Sequence, residues 1–315
     1  MDWRVKACAQ ALLSAVPGGR SINFALQKML GTFDMISIRG TLRQGLRMVR
    51  VCREQGLDVD GSVIVEIGTG WHPALPLLLS CLGAKEVITY DIARLVNRHL
   101  ALITLKQLIA SFPEICEDTG IARPILDAWR TTLDTCEDVR SFLRSARIRY
   151  VAPGDAARTG LPNASVDLVF SHGVLEHVPR DTVDVFLRES YRILKPSGLM
   201  YHRIGLHDHY VAFDKAISMV NFLKYSDRAW RFLGQSRLHY QNRLRCSEFL
   251  QLIRDRGLRL LWHDTRTDHR SLQALSHIRV AERFMNLSPE DLATHVLMVL
   301  ASKPEEEKTP RECAL

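Results

Sequence analysis

At 315 residues, 46% hydrophobic and 24% charged, the sequence has enough chain to bury a substantial core, and one large domain with insertions is expected rather than several independent ones. No apolar run approaches the roughly 20 residues a membrane-spanning helix needs, residues 11–16 are too short for a signal segment, and a cytoplasmic protein is expected. Seven scattered cysteines without a Cys-x-x-Cys pair exclude a zinc knuckle or redox motif, and the net charge of +7 arises from basic residues interspersed with acidic ones, which argues against a nucleic-acid partner.

Residues 1–58 show helix-like stretches and no strand alternation, so a helical cap is expected there. Over 42–54, Leu46, Val49 and the stem of Arg50 share a face, and Gly56 supplies a stop. A second unit, 59–315, then alternates strand and helix: a strand over 62–67, a helix over 74–82 ended by Gly83, and a strand over 86–90. Residues 93–146 are too many for a bare loop. Leu102, Leu105 and Ile109 recur at helical spacing, so this insertion is read as two or three helices that add a lid or a homodimer surface. Strands over 148–151 and 166–171 follow, then an amphipathic helix over 181–194 with Val185, Phe186, Tyr191 and Leu194 as core candidates. A fifth strand covers 199–204, a second insertion rich in aromatics and histidine covers 205–245, and the last strands are expected over 258–262 and 295–300. The run Glu305-Glu306-Glu307 reads as a solvated tail.

The most informative segment is Glu66-Ile67-Gly68-Thr69-Gly70, closing the apolar run Val63-Ile64-Val65. A strand that stops at glycines lets backbone amides approach a ligand, and the next helix presents its positive N-terminus. Asp91 ends the second strand, where a carboxylate can accept both hydroxyl hydrogens of a ribose. Trp71-His72-Pro73 interrupts the turn: Pro73 can start a helix without wasting an amide, and the bulky pair either walls a pocket or packs on a neighbouring helix.

With Gly154-Asp155-Ala156, Ser165-Val166-Asp167-Leu168-Val169-Phe170-Ser171, Val174-Leu175-Glu176-His177-Val178 and Tyr191-Arg192-Ile193-Leu194-Lys195-Pro196-Ser197-Gly198, these segments resemble the class I S-adenosylmethionine-dependent methyltransferases. The resemblance covers about residues 60–205 closely and the last fifty loosely. It implies an α/β fold, a Rossmann-like doubly wound sheet of seven strands, mostly parallel with an antiparallel last strand, carrying helical insertions. It implies S-adenosyl-L-methionine as cofactor. Glu66, Gly68, Thr69 and Gly70 would then meet the methionine and ribose part, Asp91 the ribose with Ile92 beside it, and Asp155 and the Ala156 amide the adenine. Ser171 and His172 would face the methionine portion or the reacting centre.

Methyl transfer is an in-line displacement in which the protein aligns the nucleophile and removes its proton, a task suited to histidine. His177, after the fourth strand, and His207 and His209, after the fifth, are the base candidates, since both regions belong at the carboxyl edge of a parallel sheet. His207-Asp208-His209 invites a metal reading, but alternation alone is poor evidence. Some quinone-pathway O-methyltransferases carry Glu-x-x-Glu-His where this chain has Gly173 to His177, and the first glutamate is missing here, so no metal is expected. Phe213, Phe222, Tyr225 and Trp230 either close over an acceptor or belong to a core. Arg243 and Arg245 either grip an anion or cap the helix for which Ser247 is the expected N-cap. The reading is a methyltransferase for a small or medium-sized acceptor, at oxygen, with an RNA methyltransferase or a non-catalytic cofactor-binding scaffold as alternatives. A nicotinamide-dependent oxidoreductase shares Gly68, Gly70 and Asp91 but leaves Gly154-Asp155-Ala156 and Leu175-Glu176-His177 unexplained.

Overall fold

Short polar side chains start the helices Trp3–Ala15 and Ile38–Glu54 of the computed structural model, which describes residues 2–19, 37–119, 138–236 and 238–304 with the isolated positions 22, 131 and 135. Asp2 accepts from the Arg4 amide at 2.8 Å to begin α1 (Trp3–Ala15), and Ser37 accepts from the Gly40 amide at 2.9 Å to begin α2 (Ile38–Glu54). Leu42, Leu46, Met48, Val49, Val51 and Cys52 of α2 are buried, whereas Arg50 faces solvent, so its stem is not part of the packed face. Gly45 lets α2 close on α3 (Ala74–Cys81): a Cβ there would stand 2.5 Å from the Leu75 side chain.

Seven strands, β1 (Val63–Ile67), β2 (Glu86–Tyr90), β3 (Ile148–Val151), β4 (Val166–His172), β5 (Leu194–Gly205), β6 (Arg259–Thr267) and β7 (Thr294–Ser302), form one sheet in the order β3-β2-β1-β4-β5-β7-β6. All pairings among β1 to β5 are parallel, and β7 runs antiparallel to both β5 and β6. The topology therefore matches the expectation, while β6 and β7 extend beyond the expected spans because they pair along the added length, and β5 begins earlier, at Leu194, which pairs with Val166 before an irregularity in register.

Strand alternation divides the core into two layers. Ile64, Val87, Leu168 and Phe170 pack under α2, α3 and the helices of the first insertion, α4 (Arg98–Ala110), α5 (Phe112–Thr119) and α6 (Val139–Ser145). Leu105 is fully buried there and Leu102 and Ile109 partly so, so the described part of this insertion forms a packed layer on the sheet. Val65, Ile67, Val169 and Met200 face the opposite layer of α7 (Arg180–Ile193) and α9 (Cys246–Asp255). In α7 the buried stripe is Val183, Phe186, Leu187, Ser190 and Ile193; Val185 and Tyr191 are only half-buried, and Leu194 already belongs to β5.

A third cluster is built on the second insertion. Trp3 of α1 packs with Tyr210, Phe222, Trp230 of α8 (Asp227–Leu233), Phe284 and Leu292 of α11 (Pro289–Ala293), near α10 (His269–Leu275). Phe222 and Trp230 are thus core residues, Tyr225 lies half-buried at the cluster's margin, and Phe213 is half-buried with the Lys6 ammonium of α1 over its ring. Among the described residues no helix is long and apolar enough to cross a membrane. Glu305-Glu306-Glu307 lies outside the described residues.

Candidate functional site

Strand order reverses between β1 and β4, and in open α/β sheets a crevice opens at the carboxyl ends of strands at such a point. Gly68 and Gly70 stand there with φ of 82° and 66°, the left-handed region that glycine enters without strain. Gly68 is also crowded, since a Cβ would come within 2.5 Å of Val174 from the chain leaving β4. The Gly70 amide donates to Asp91 Oδ2 and the Ala93 amide to Oδ1, both at 2.9 Å. Each carboxylate oxygen retains acceptor capacity. Burial raises the Asp91 pKa, and the two amides oppose it. The Asp91 amide donates to the Val151 carbonyl at 3.1 Å and its carbonyl accepts from Gly154 at 2.8 Å, which ties the β3 turn to the same edge.

Around this edge the predicted cofactor residues divide. Ile92 is 78% exposed, an uncovered apolar side chain next to Asp91. Asp155 is exposed, with Oδ1 accepting from the Ala157 amide at 2.9 Å, and the Ala156 side chain is buried, leaving its backbone as the usable part. Glu66 and Thr69 are buried: Thr89 donates to Glu66 Oε2 and hydrogen-bonds the Thr69 hydroxyl, so the Thr69 side chain is engaged inside the fold. Burial, with Asp91 adding repulsion, pushes the Glu66 carboxyl up to about 8. The Ser171 hydroxyl does not face the crevice; it is fully buried and pairs with His202 Nδ1 at 2.7 Å. His172 is half-buried, and burial followed by Arg203 lowers its pKa to about 4. His72 packs on α4, with Nδ1 3.1 Å from Thr104 Oγ1, and Pro73 is the N-cap of α3.

Beside His172, a small cavity under α2 is bordered by Gln44, Tyr201 and Arg203. Gln44 Oε1, the Tyr201 hydroxyl and Arg203 Nε are buried without partners among the described residues, so three residues that border the cavity carry unsatisfied polar atoms. The sequence reading missed it. Arg203, a charge within the apolar run of β5, was the available signal.

The three base candidates do converge. After β4 a short turn, Leu175–His177, carries Glu176 and His177, and the chain beyond β5 carries His207 and His209. The Gly205 amide donates to Glu176 Oε1 at 2.9 Å and joins the two segments. The ring centre of His209 lies 4.8 Å from that of His177 and 4.9 Å from that of His207, and His239 joins at 6.4 Å. His239 escaped the sequence reading because it lies in the irregular second insertion, where no periodicity assigns a direction. Burial, then the neighbouring histidines, puts His209 well below its ordinary value, and burial also lowers His207. Both are neutral at neutral pH. His177 is exposed, and its Nδ1 donates to the Tyr240 carbonyl at 3.0 Å.

Other polar candidates hold the fold together. Asp208 accepts from the Tyr210 amide and from Asn221 Nδ2. Arg245, fully buried, donates to the carbonyls of Leu206, Asp291, Leu292 and Thr294, and Arg243 to those of Phe222 and Tyr225 and to Asp227. Neither guanidinium is open to an anionic ligand. The N-cap of α9 is Arg245 rather than Ser247, with its amide held by Glu248 at 2.9 Å, while Ser247 bonds Asp291.

A family profile described as a methyltransferase domain matches residues 120–202. No curated protein matches the chain by sequence. Similar solved structures include an S-adenosylmethionine dependent methyltransferase from Mesorhizobium loti, 17% identical over 80% of this chain and 96% of its own, with a TM-score of 0.45. A SAM-dependent methyltransferase from Methanosarcina mazei is 15% identical over 81% and 98%, with a TM-score of 0.43. A phosphoethanolamine N-methyltransferase from Haemonchus contortus, solved with S-adenosyl-L-methionine, is 15% identical over 84% of this chain and 53% of its own, with a TM-score of 0.45. The strand order and the glycine turn, not these distant likenesses, carry the fold assignment.

Proposed function

We propose an acceptor chemistry for this chain, a class I S-adenosylmethionine-dependent methyltransferase: the methyl group passes to an oxygen of a small or medium-sized acceptor held at the histidine cluster. The bound cofactor supplies a methyl group on a positively charged sulfur, which is already a good leaving group. Residues of the edge fit its remaining parts. Asp91 has acceptor capacity for the ribose hydroxyls, Ile92 offers an uncovered apolar surface, and the glycine turn brings backbone amides close. Burial holds the Glu66 carboxyl pKa at about 8, and a nearby ammonium would favour its ionised form.

One observation carries the acceptor reading: His177, His207 and His209 converge beside Glu176, two residues beyond Val174, whose side chain borders Gly68. The acceptor hydroxyl would give its proton to an imidazole nitrogen as its oxygen attacks the methyl carbon and the carbon–sulfur bond breaks. His177 is the most open of the three. Its Nδ1 is committed to Tyr240, so Nε2 is the free acceptor.

The test is incubation of the full chain with host metabolites and isotopically labelled methyl donor. A labelled methyl ether or ester is expected by mass spectrometry; a labelled amine, thiol or carbon acceptor would overturn oxygen transfer. Asp91→Ala removes hydrogen bonds from a charged acceptor worth about 1.5–3 kcal/mol, so calorimetric cofactor affinity should fall about 10- to 100-fold. Unchanged affinity would remove Asp91 from the site.

A further inference from the structure

Glu176, His177 and His209 form a set whose potential ligand atoms all lie within 4.8 Å of one another. We propose that this set binds a divalent transition-metal ion of the zinc or cobalt type, with a coordination position left open toward the acceptor.

Each member is prepared in a way that packing alone does not require. Glu176 is buried; Oε1 is held by the Gly205 amide, and Oε2 is buried with no partner among the described residues. His177 and the Arg203 guanidinium lie near enough to favour its charged form, but neither satisfies Oε2, so burial leaves one carboxylate oxygen for a further partner. His177 donates Nδ1–H to the Tyr240 carbonyl, which can only accept, and the neutral ring therefore carries its lone pair on Nε2. Metal-ligating histidines are oriented by this kind of backbone hydrogen bond. His209, on the chain beyond β5, closes the set from the other side and supplies the third ligand atom that Gly173 cannot, against the expectation of no metal.

Gly205 keeps the space between them clear. Its backbone is not in the left-handed region, so conformation does not call for glycine. Space does: a Cβ would stand 2.8 Å from Glu176 Oε1 and 3.4 Å from His209 Nε2. Two imidazoles and one carboxylate favour zinc-like ions over magnesium, which prefers an all-oxygen shell. Tetrahedral ligands at bonds of 2.0–2.1 Å sit about 3.4 Å apart, so side-chain shifts of about 1 Å would close the set on an ion. Binding goes beyond the methyl-transfer reading and is independent of it. Only its catalytic use rests on that reading: an ion here would occupy His177 Nε2 and polarise the acceptor hydroxyl, so that in the metal-bound protein the proton would pass to His207 in place of His177.

Full-length protein treated with chelator and titrated with cobalt(II) should bind one ion per chain and develop the visible absorption of a low-coordinate site, displaced by zinc(II). His177→Asn changes an exposed side chain, and Gly205→Ala adds one methyl group in the gap. Each should weaken binding at least about 10-fold, as should Glu176→Gln. His277→Ala, at an exposed histidine outside the set, should leave it unchanged. Absence of saturable binding overturns the proposal, as does equal binding by wild type, His177→Asn and Gly205→Ala. A cofactor-induced thermal shift measured on the same samples checks folding and separates the two readings. A retained shift without metal binding defeats only the metal site, and metal binding without a shift defeats only the methyltransferase reading.

Discussion

Glu66 shows how burial turns a motif residue into a measurable pH dependence. Its carboxyl has an ordinary value of 4.5 and is pushed up to about 8 in the folded chain, so folding takes up a proton between those values. The stability it permits is fully present below 4.5, declines as pH rises, and is lost once pH passes about 8. Glu66→Gln has no charge to desolvate. Wild type should therefore lose melting temperature relative to Glu66→Gln between pH 5 and pH 9, and parallel curves would contradict a buried acid. The neighbouring glycines differ from each other. Gly68→Ala meets both a left-handed φ, at about 1–2 kcal/mol, and the Val174 side chain, whereas Gly70→Ala meets the φ alone with open space around it. Urea denaturation should rank Gly68→Ala as the more destabilised; the reverse order would mean that Val174 does not press on the turn.

Helix α1 is fastened by one residue more than by its length. The Trp3 amide donates to Asp214 Oδ2 at 3.0 Å, and its indole packs against Tyr210, Tyr225 and Trp230 with ring centres 5.2, 5.8 and 5.9 Å away. Removing such a buried ring costs about 3–5 kcal/mol. Trp3→Ala should accordingly raise hydrogen exchange in α1 and α8 while β1 to β5 stay protected, because the third cluster is separate from the two sheet layers. Uniform loss of protection would show that the aromatic cluster and the sheet open together. Strand placement at this level was legible early, since apolar runs bounded by glycine and charge mark strands of a parallel sheet buried on both faces. The aromatic stretch was less so: Phe222 and Trp230 have the same spacing whether they close over a ligand or, as here, meet an indole more than two hundred positions away.

Asp91 joins the ends of β1, β2 and β3 by hydrogen bonds, so a ligand bridging this edge should stabilise the entire sheet. At about 100 times its dissociation constant, S-adenosyl-L-methionine should add about 2.7 kcal/mol, seen as a rise in melting temperature that Asp91→Ala loses. No rise in wild type would mean that the crevice does not take this cofactor. That Glu66, Gly68, Gly70 and Asp91 stand at one sheet edge could be read from the chain because the requirements are local: a strand end, a left-handed turn, a carboxylate one strand over. Ser171 could not be turned inward toward His202, nor Arg243 and Arg245 assigned to carbonyls, from spacing alone. Nor could the linear order set Glu176 opposite His209, or leave Gln44, Tyr201 and Arg203 around one cavity. Backbone conformation is encoded over a few neighbouring residues, whereas a side chain's partner depends on which elements pack across from it, and that emerges only when the sheet, its two helical layers and the aromatic cluster assemble.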